Sequence, residues 1–211
     1  MTISTYSNLQ DAIFAWLLRA STDLVVTTER VKEYIALCEV ELNRELRVRE
    51  LEQSVAVATV ADQAYAALPS DFKKISDFYY DSSPYEINFI PTKGALKRKH
   101  GTAIGRPKDY TIWGSRIYFG AVPDAIYALT LDYYEAITPL SDSATTNEIF
   151  PAYSDLYLYG ALVQACFHTK NKAFKDEVNE KYVGIVERIK DANLNSKMAA
   201  NVRMVVPNRL A

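Results

Sequence analysis

The fold of this chain is decided by one stretch, Ser154-Asp-Leu-Tyr-Leu-Tyr-Gly-Ala-Leu-Val-Gln-Ala-Cys-Phe167. From Leu156 to Phe167 the one strongly polar residue is Gln164, so a helix here is apolar on nearly every side. Ser154 is a suitable N-cap, and Asp155 suits the positive end of the helix dipole. The stretch therefore predicts a helix that is surrounded by other helices.

Gly160 lies in the middle of this predicted helix. Glycine there costs roughly 1 kcal/mol relative to alanine, a cost that is explained if another helix backbone crosses closely. We therefore interpret the stretch as the central helix of a helical core and expect Leu162 and Phe167 to be buried in it. Taken alone, the segment is most simply a core helix with no further role.

Apolar residues at helical spacing predict three further helices around the central one. The first covers residues 8–20, and the second begins at Thr27 or Thr28 and carries an apolar stripe from Val31 to Leu46. A last helix begins at Asn171, with Phe174, Val178, Tyr182, Ile185 and Ile189 on one face. The other face of the second helix is charged with mixed sign, which is typical of a solvated surface; it carries Lys32, Glu33, Glu39, Glu41, Arg44, Glu45, Arg47 and Arg49.

Between these helices the apolar period changes from about 3.6 to about 2 residues, which predicts a β-rich region. Its clearest element is a hairpin of strands 109–113 and 116–119. Gly114 and Ser115 form the two-residue loop between these strands, and a loop that begins with glycine suits a primed turn. Further strands are predicted at 55–59, 65–68, 73–80, 87–90 and 126–134. The predicted fold class is α+β: a helical bundle core of two N-terminal and two C-terminal helices with an inserted antiparallel β-rich region.

These changes of pattern also predict how the chain is divided. Residues 1–52 supply the N-terminal helices of the core, 53–140 form the inserted β-rich region, and 141–195 supply the C-terminal helices. Beyond residue 195 the helical pattern fades, and Pro207 cannot continue a helix. We therefore expect residues 196–211 to form an extended C-terminal arm.

Composition and charge are those of an ordinary globular protein. The net charge of −2 argues against a general nucleic-acid binder, which is usually basic. Fifteen residues are tyrosine, a frequency that suits either a protein-binding surface or partly exposed strands. The N-terminus lacks a signal-peptide pattern, and no apolar run is long enough to cross a bilayer, so we expect a soluble protein made in the cytosol.

No motif in the sequence indicates catalysis or a cofactor. Cys38 and Cys166 lie in apolar helical patterns, where buried, reduced thiols are expected, and the few cysteines and histidines do not form a zinc signature. Nucleophile-elbow, phosphate-loop and dinucleotide motifs are absent. Glu41 and Glu45 are paired on one helix, and a glycosidase needs two placed carboxylates, but spacing alone does not establish that placement. We therefore predict no enzyme activity, no metal and no cofactor.

A basic run without acidic residues separates Glu86 from Asp109. Its side chains suit contact with phosphate or with an acidic protein surface, although a solvated loop is the simpler interpretation. The part that begins at Pro91 has the composition of one or two helical turns. The candidate contact residues are Lys93, Lys97, Arg98, Lys99, Arg106 and Lys108, with His100 among them.

The order of these segments resembles the head–tail adaptor proteins of tailed bacteriophages, also called head-completion or connector proteins. The likeness covers most of residues 6–190 and depends on the order and spacing of short, mostly structural motifs. The matching stretches are Tyr6-Ser-Asn-Leu-Gln, Ile13 to Leu18, Ile35 to Glu52, Leu68-Pro-Ser-Asp-Phe72, the hairpin from Tyr110 to Phe119 followed by Pro123, Tyr133 to Ser141, and Tyr153 to Leu162.

The resemblance implies a structural virion protein of the phage neck. Copies of such a protein form a twelve-subunit ring beneath the portal, extend its DNA channel and connect to the next tail or nozzle protein. The implied partners are the portal protein, other copies of the chain, that next protein, and genomic DNA that passes without sequence-specific binding; no membrane is involved. The implied location is the head–tail joint of the virion, after synthesis and assembly in the host cytoplasm.

The resemblance also gives the C-terminal arm a role, because this segment commonly runs along the portal in the family. The candidate portal-binding residues are Val202, Arg203, Met204, Val205, Val206, Arg209 and Leu210. Two other classes of function stay open on the sequence. One is a cell-wall hydrolase carried on the neck, and the other is a nucleic-acid-binding module that uses the basic run at 93–108.

Overall fold

The computed structural model describes residues 3–20, 26–82, 86–169 and 172–202. The fold is α+β, as the sequence predicts. The chain divides into two compact units. The helical unit consists of Met1–Leu51 and Ile137–Ala211, and the β-unit consists of Glu52–Ala136.

The described residues form five α-helices and seven β-strands. The helices are α1 (Tyr6–Ala20), α2 (Thr28–Glu45), α3 (Lys93–His100), α4 (Ser154–Thr169) and α5 (Lys172–Val202), with one 3-10 turn at Arg49–Leu51. The strands are β1 (Glu52–Ala58), β2 (Tyr65–Ala67), β3 (Phe72–Tyr80), β4 (Asn88–Phe89), β5 (Asp109–Trp113), β6 (Arg116–Phe119) and β7 (Ala128–Glu135).

Helix α4 is the central helix of the helical unit. It packs against α1, α2 and α5, which explains why its sequence is apolar on nearly every side. Its buried residues are Leu156, Tyr157, Leu158, Gly160, Ala161, Leu162, Ala165 and Cys166. The predicted burial of Phe167 was wrong. That side chain is 63% exposed in the last turn of the helix, where the Lys175 ammonium lies 4.3 Å from the ring centroid.

Side chains of two neighbouring helices explain the glycine at position 160. A Cβ atom at Gly160 would overlap the Sγ of Cys38 on α2 and would lie 3.1 Å from the Cε2 of Tyr182 on α5. The expected close approach of a neighbouring helix is therefore present, and the nearest atoms belong to the side chains of Cys38 and Tyr182. Cys38 and Cys166 are both buried, free thiols.

Glu39 corrects the prediction for the charged face of α2. Its side chain was expected in solvent but the residue is only 4% exposed, and its Oε1 accepts a hydrogen bond of 2.8 Å from the Leu140 backbone N–H. Burial raises the pKa of Glu39 to about 7, although the hydrogen bond from Leu140 opposes the shift. Further along α2, Glu41 and Glu45 are exposed as predicted.

Helix α5 is longer than the sequence pattern suggests. It continues to Val202, so residues 196–202, which were predicted to begin an extended arm, are helical. The residues before Pro207 contain no helix breaker, and adding a residue to an existing helix costs much less than starting one. The Asn193 side chain also donates a hydrogen bond of 2.7 Å to the Arg47 carbonyl, which holds this part of α5 in the helical unit. Residues 203–211 lie outside the described residues.

The β-unit consists of two sheets with strand orders β1-β7-β3 and β2-β6-β5-β4. All pairs are antiparallel except β4 and β5, which are parallel. The predicted region was antiparallel throughout; the difference arises because α3 connects β4 to β5, and a crossover of this kind makes the two strands parallel. The inner faces share one apolar core, formed by Val57, Ala66, Phe78, Tyr80, Ile87, Tyr110, Ile117, Phe119, Leu129, Leu131 and Tyr133.

The predicted hairpin is confirmed with its predicted bounds, as strands β5 and β6. Trp113 pairs with Arg116 across the two-residue loop, and Gly114 has a φ of 59°. A positive φ at the first loop residue is what a type II′ turn requires, and glycine adopts it without strain.

Candidate interaction surfaces

The basic run folds as helix α3 and the loop that follows it. The Thr92 Oγ1 accepts a hydrogen bond of 3.1 Å from the Ala95 N–H and so caps the start of the helix. Gly101 ends it with a φ of 57° and donates its N–H to the Lys97 carbonyl at 2.8 Å. The basic residues of the last turn suit the negative end of the helix dipole. Leu96 is the buried apolar contact of this helix.

A buried carboxylate of β5 holds the end of α3 in place. The Asp109 side chain, 3% exposed, lies 3.0 Å from the Lys99 Nζ and 2.6 Å from the His100 Nε2. Burial alone would raise the pKa of Asp109, but the hydrogen bonds from Lys99 and His100 outweigh it and hold that pKa below its ordinary value. Breaking such a pair leaves a buried charge without a partner, which is strongly destabilising. Lys99 and His100 therefore act in the fold of the β-unit.

Gly120 makes room for this arrangement. A Cβ atom at Gly120 would lie 2.6 Å from the His100 Cδ2, too close for the ring to stay where it is. The Gly120 N–H also donates a hydrogen bond of 2.8 Å to the Asp109 carbonyl. The glycine at the end of β6 is thus needed for the contact between α3 and the sheet.

Lysine and arginine also stack on tyrosine rings of the second sheet. The Lys93 Nζ lies 3.7 Å from the Tyr118 ring centroid, and the Arg116 guanidinium lies 4.4 Å from that of Tyr65. The centroids of the Tyr65 and Tyr118 rings are 6.0 Å apart. These contacts favour a fixed position for both cations while leaving their charges at the surface.

Arg106 makes a similar contact with Tyr80 of β3 and with Tyr127, which precedes β7. Its guanidinium lies 3.8 Å from the Tyr80 ring centroid and 5.9 Å from that of Tyr127. The Tyr80 hydroxyl donates a hydrogen bond of 2.5 Å to the Pro107 carbonyl, which fixes the loop after α3. Arg106 is therefore a loop-stabilising residue as well as an exposed cation.

Three of the six predicted contact residues have no such role. Lys97, Arg98 and Lys108 are exposed, and none of them forms an ion pair or a ring contact with another described residue. The structure thus separates the basic run into cations that hold α3 and its loop in place and cations that are available to a partner.

The sequence analysis did not identify the aromatic part of this surface. Trp113 is 64% exposed at the end of β5, beside its cross-strand partner Arg116. Tyr65 and Tyr118 face the same side of the sheet, since they also form a cross-strand pair. Strand alternation contains this information, because Trp113 lies at an odd spacing from the core residue Tyr110 and therefore on the opposite face of the sheet.

The candidate portal arm cannot be described in the same way. Val202 is the last residue of α5, and the other six candidates, Arg203, Met204, Val205, Val206, Arg209 and Leu210, lie outside the described residues. No geometry supports or opposes their assignment, which stays a prediction.

The described residues offer little for catalysis or metal binding. Glu45 lies 3.9 Å from the Lys190 Nζ at the surface, and Glu41 is exposed nearby. Within the described ranges, no group of three or more His, Cys, Asp or Glu side chains is placed to hold a metal ion. Among the helices of those ranges, none has the length and apolar character needed to cross a membrane.

Comparison with protein families decides between the interpretations that the geometry leaves open. Residues 4–204 match the family described as SU10 adaptor protein. The chain belongs to this family. The match extends over both compact units of the adaptor, including the segments on either side of the β-unit. A comparison with curated proteins gave no match.

Membership confirms the resemblance to phage head–tail adaptors noted in the sequence. The adaptor is thus a structural component of a bacteriophage virion that associates with other head or tail components. A structural role agrees with the expectation that the chain is not an enzyme.

Proposed function

We propose that this adaptor forms a ring below the portal in the phage neck, where it extends the DNA channel and connects the head to the tail. The observation that carries the proposal is the family match over residues 4–204, which includes nearly the whole chain. In this arrangement a head-to-tail contact between copies closes into a ring, and the resemblance to head–tail adaptors implies about twelve copies. Genomic DNA passes through the ring without sequence-specific binding.

The helical unit builds the ring in this proposal, and the β-unit is displayed from it. Helices α1, α2, α4 and α5 then act as a bundle made of two N-terminal and two C-terminal helices. The strength of the packing around α4 suits such a scaffold, because large buried side chains on several sides resist deformation. The protein has no catalytic role and no cofactor, and is made and assembled in the host cytoplasm.

The C-terminal segment reaches the portal in this proposal. Its residues after α5 include Met204, Val205, Val206 and Leu210, which are too apolar for a segment that stays solvated. Docking on the portal buries them, and main-chain hydrogen bonds add affinity if the segment binds as a strand. Arg203 and Arg209 add charge complementarity to an acidic portal surface, which contributes more to orientation than to affinity.

The proposal is tested by interrupting the gene in the phage that encodes the chain. We expect heads that contain DNA, leak it and carry no tails, because the portal exit stays open. Supplying the wild-type chain from a plasmid should restore complete particles, and the chain should be found in purified virions at a ratio to portal subunits that fits one ring. Complete infectious particles without the chain, or its absence from virions, would contradict the proposal.

A further inference from the structure

One outer face of the β-unit is acidic. Side chains alternate across each strand, so the neighbours of the core residues on β1, β3 and β7 point away from the core. Away from both ends of the strands, these outward residues are Ser54 and Ala56 of β1, Asp77 and Tyr79 of β3, and Thr130 and Asp132 of β7. We call these six residues the acidic face.

The charge of the acidic face is not neutralised within its own sheet. Asp77 and Asp132 lie directly opposite each other on β3 and β7, a placement that is destabilising for like charges. Asp81 adds a third carboxylate, which accepts a hydrogen bond from the Thr130 hydroxyl. None of these aspartates forms an ion pair with another described residue. Lys74, at the margin of the face, is opposite Tyr134.

The edge strand of this sheet leaves room for close approach. Ser54 and Ala56 are exposed on β1, and neither side chain is long enough to keep another element away from the sheet. A helix with small or cationic outward residues therefore fits over β1 and reaches Asp132 on the neighbouring strand β7 and Asp77 on β3 beyond it.

The opposite outer face of the β-unit is basic and aromatic. Leu96 and His100 define the side of α3 that faces the sheet. Lys97 and Arg98 therefore lie on its outward side, as does Gly94 nearer the start of the helix. Lys93, Tyr65, Trp113 and Arg116 extend this surface over β2, β5 and β6. The basic face is defined as Lys93, Lys97, Arg98, Tyr65, Trp113 and Arg116. Exposed tryptophan, tyrosine and arginine are the residue types that most often dominate the binding energy of protein interfaces.

We propose that the basic face of one copy docks on the acidic face of a second copy of this chain. The two faces lie on opposite sides of one sandwich, so they cannot meet within a β-unit, and every copy supplies one of each. A contact between two different surfaces continues from copy to copy and closes into a ring when its rotation allows. The proposal rests on the proposed ring and names the surfaces through which neighbouring β-units meet.

A second copy accounts for both the acidic face and the basic face, whereas another kind of partner accounts for only one of them. Phosphate groups of DNA also suit the basic face, but DNA would leave Asp77 and Asp132 facing each other without a cation and would be repelled by that side of the unit. A second copy brings Lys97 and Arg98 to those aspartates in equal number. The attraction operates at surface distances, so it should weaken as ionic strength rises.

The test exchanges the charges of the two faces in the full-length protein. The first variant carries Lys97→Glu with Arg98→Glu, and the second carries Asp77→Lys with Asp132→Lys. Sedimentation equilibrium at low ionic strength measures the association constant of the wild type, of each variant, and of an equal mixture of the two. Arg30→Glu with Lys172→Glu, on exposed positions of the helical unit, is the control with the same change in net charge as the first variant.

We expect each variant alone to associate at least roughly tenfold more weakly than the wild type, because both of its faces then carry the same charge. The mixture should recover association, since an acidic face of one variant again meets a basic face of the other. The control should resemble the wild type, and raising the ionic strength to about 1 M should weaken the wild type. Undiminished association of either variant, or a mixture no tighter than its components, overturns the proposal.

A second variant protects the test against misfolding, since Asp77 also accepts a hydrogen bond from the Phe78 N–H. Ser54→Lys with Ala56→Lys adds two positive charges at exposed positions, half the charge change of the aspartate variant, and removes no contact that the structure shows. It should weaken self-association and, mixed with the first variant, recover part of the association, because its unchanged basic face meets an acidic face of the first variant. If the first variant instead loses binding to a DNA duplex while self-association is unchanged, the basic face binds phosphate and the proposal is wrong.

The outcome is separable from that of the proposed function. A wild-type chain that restores complete particles, together with charge variants that associate and complement as well as the wild type, refutes the docking surfaces and leaves the neck assignment intact. Absence of the chain from virions refutes the neck assignment whatever the association constants are.

Discussion

Replacement of Glu39 by glutamine should remove a pH dependence that is built into the helical unit. The Glu39 carboxylate is buried beside the Leu140 N–H, with the hydroxyls of Tyr6 and Tyr157 among the polar groups in its surroundings. Glutamine keeps an oxygen that accepts the bond from Leu140, but it does not titrate. Glu39→Gln therefore changes the charge of the site and little else.

The magnitude follows from the pKa of Glu39 in the two states. Burial raises it from an ordinary 4.5 to about 7 in the folded protein, so between these pH values the folded state holds a proton that the unfolded state has released. The stability that this difference gives is fully present below pH 4.5 and is lost as the pH rises through 7. At about 1.4 kcal/mol per pKa unit, the loss is about 3 kcal/mol in all.

The assay is urea unfolding followed by circular dichroism at a series of pH values from about 5 to about 8, where the slope of stability against pH reports the proton difference. The wild type should lose stability relative to Glu39→Gln across this range, so that the variant is the more stable protein at the alkaline end. Glu41→Gln, an exposed change on the same helix, should follow the wild type. Equal slopes for wild type and Glu39→Gln would refute the reasoning and would mean that Glu39 is ionised in the fold at all these pH values.

Three further predictions concern packing, the position of α3 and the C-terminal segment. Leu162→Ala should lower the free energy of unfolding by about 2 to 5 kcal/mol, whereas Phe167→Ala should change it by no more than about 0.5 kcal/mol. Similar losses of stability for the two variants in melting experiments would show that the two residues share one environment. Gly120→Ala should displace His100 and speed proteolysis within α3, and unchanged cleavage would argue against that contact. Deleting residues 203–211 should leave the melting temperature nearly unchanged and abolish attachment to portals; a truncated chain that unfolds, or that still binds portals fully, contradicts the docking role.

The central helix could be predicted because its sequence is apolar on every side, so no particular face has to be identified. A segment that is apolar on every side must be enclosed, whichever residue faces which neighbour. The environments of Phe167 and Glu39 were predicted wrongly. The exposure of Phe167 depends on where α4 ends, and the burial of Glu39 depends on a contact with a residue distant in sequence. Phe167 lies in the last turn of α4 and is 63% exposed, whereas Leu162 in the middle of the helix is fully buried. Glu39 is buried because Leu140, about a hundred residues away, brings its N–H to the carboxylate.

The β-unit shows the same distinction. The hairpin of β5 and β6 was predictable because its turn chemistry is local, with Gly114 at the position that needs a positive φ. The parallel pairing of β4 with β5 depends on where α3 packs, and that position is set by contacts of Asp109 and Gly120 that no periodicity reveals. The aromatic residues of the basic face follow from strand alternation once the strands themselves are known.

The two groups of cations in the basic run should give different phenotypes when they are replaced one at a time. Neutralising Lys99 weakens the hold on the buried Asp109 carboxylate, so the loss should appear as lower stability of the β-unit even in the isolated monomer. Neutralising Lys97 or Arg98 removes no contact that the structure shows, so the monomer should melt as the wild type does and the loss should appear only when copies assemble. A scan that measures monomer melting and assembly in parallel therefore separates fold from interface within a single short helix. If the Lys97 and Lys99 variants instead each lose both monomer stability and assembly, α3 acts as one structural element and its outward cations have no separate role.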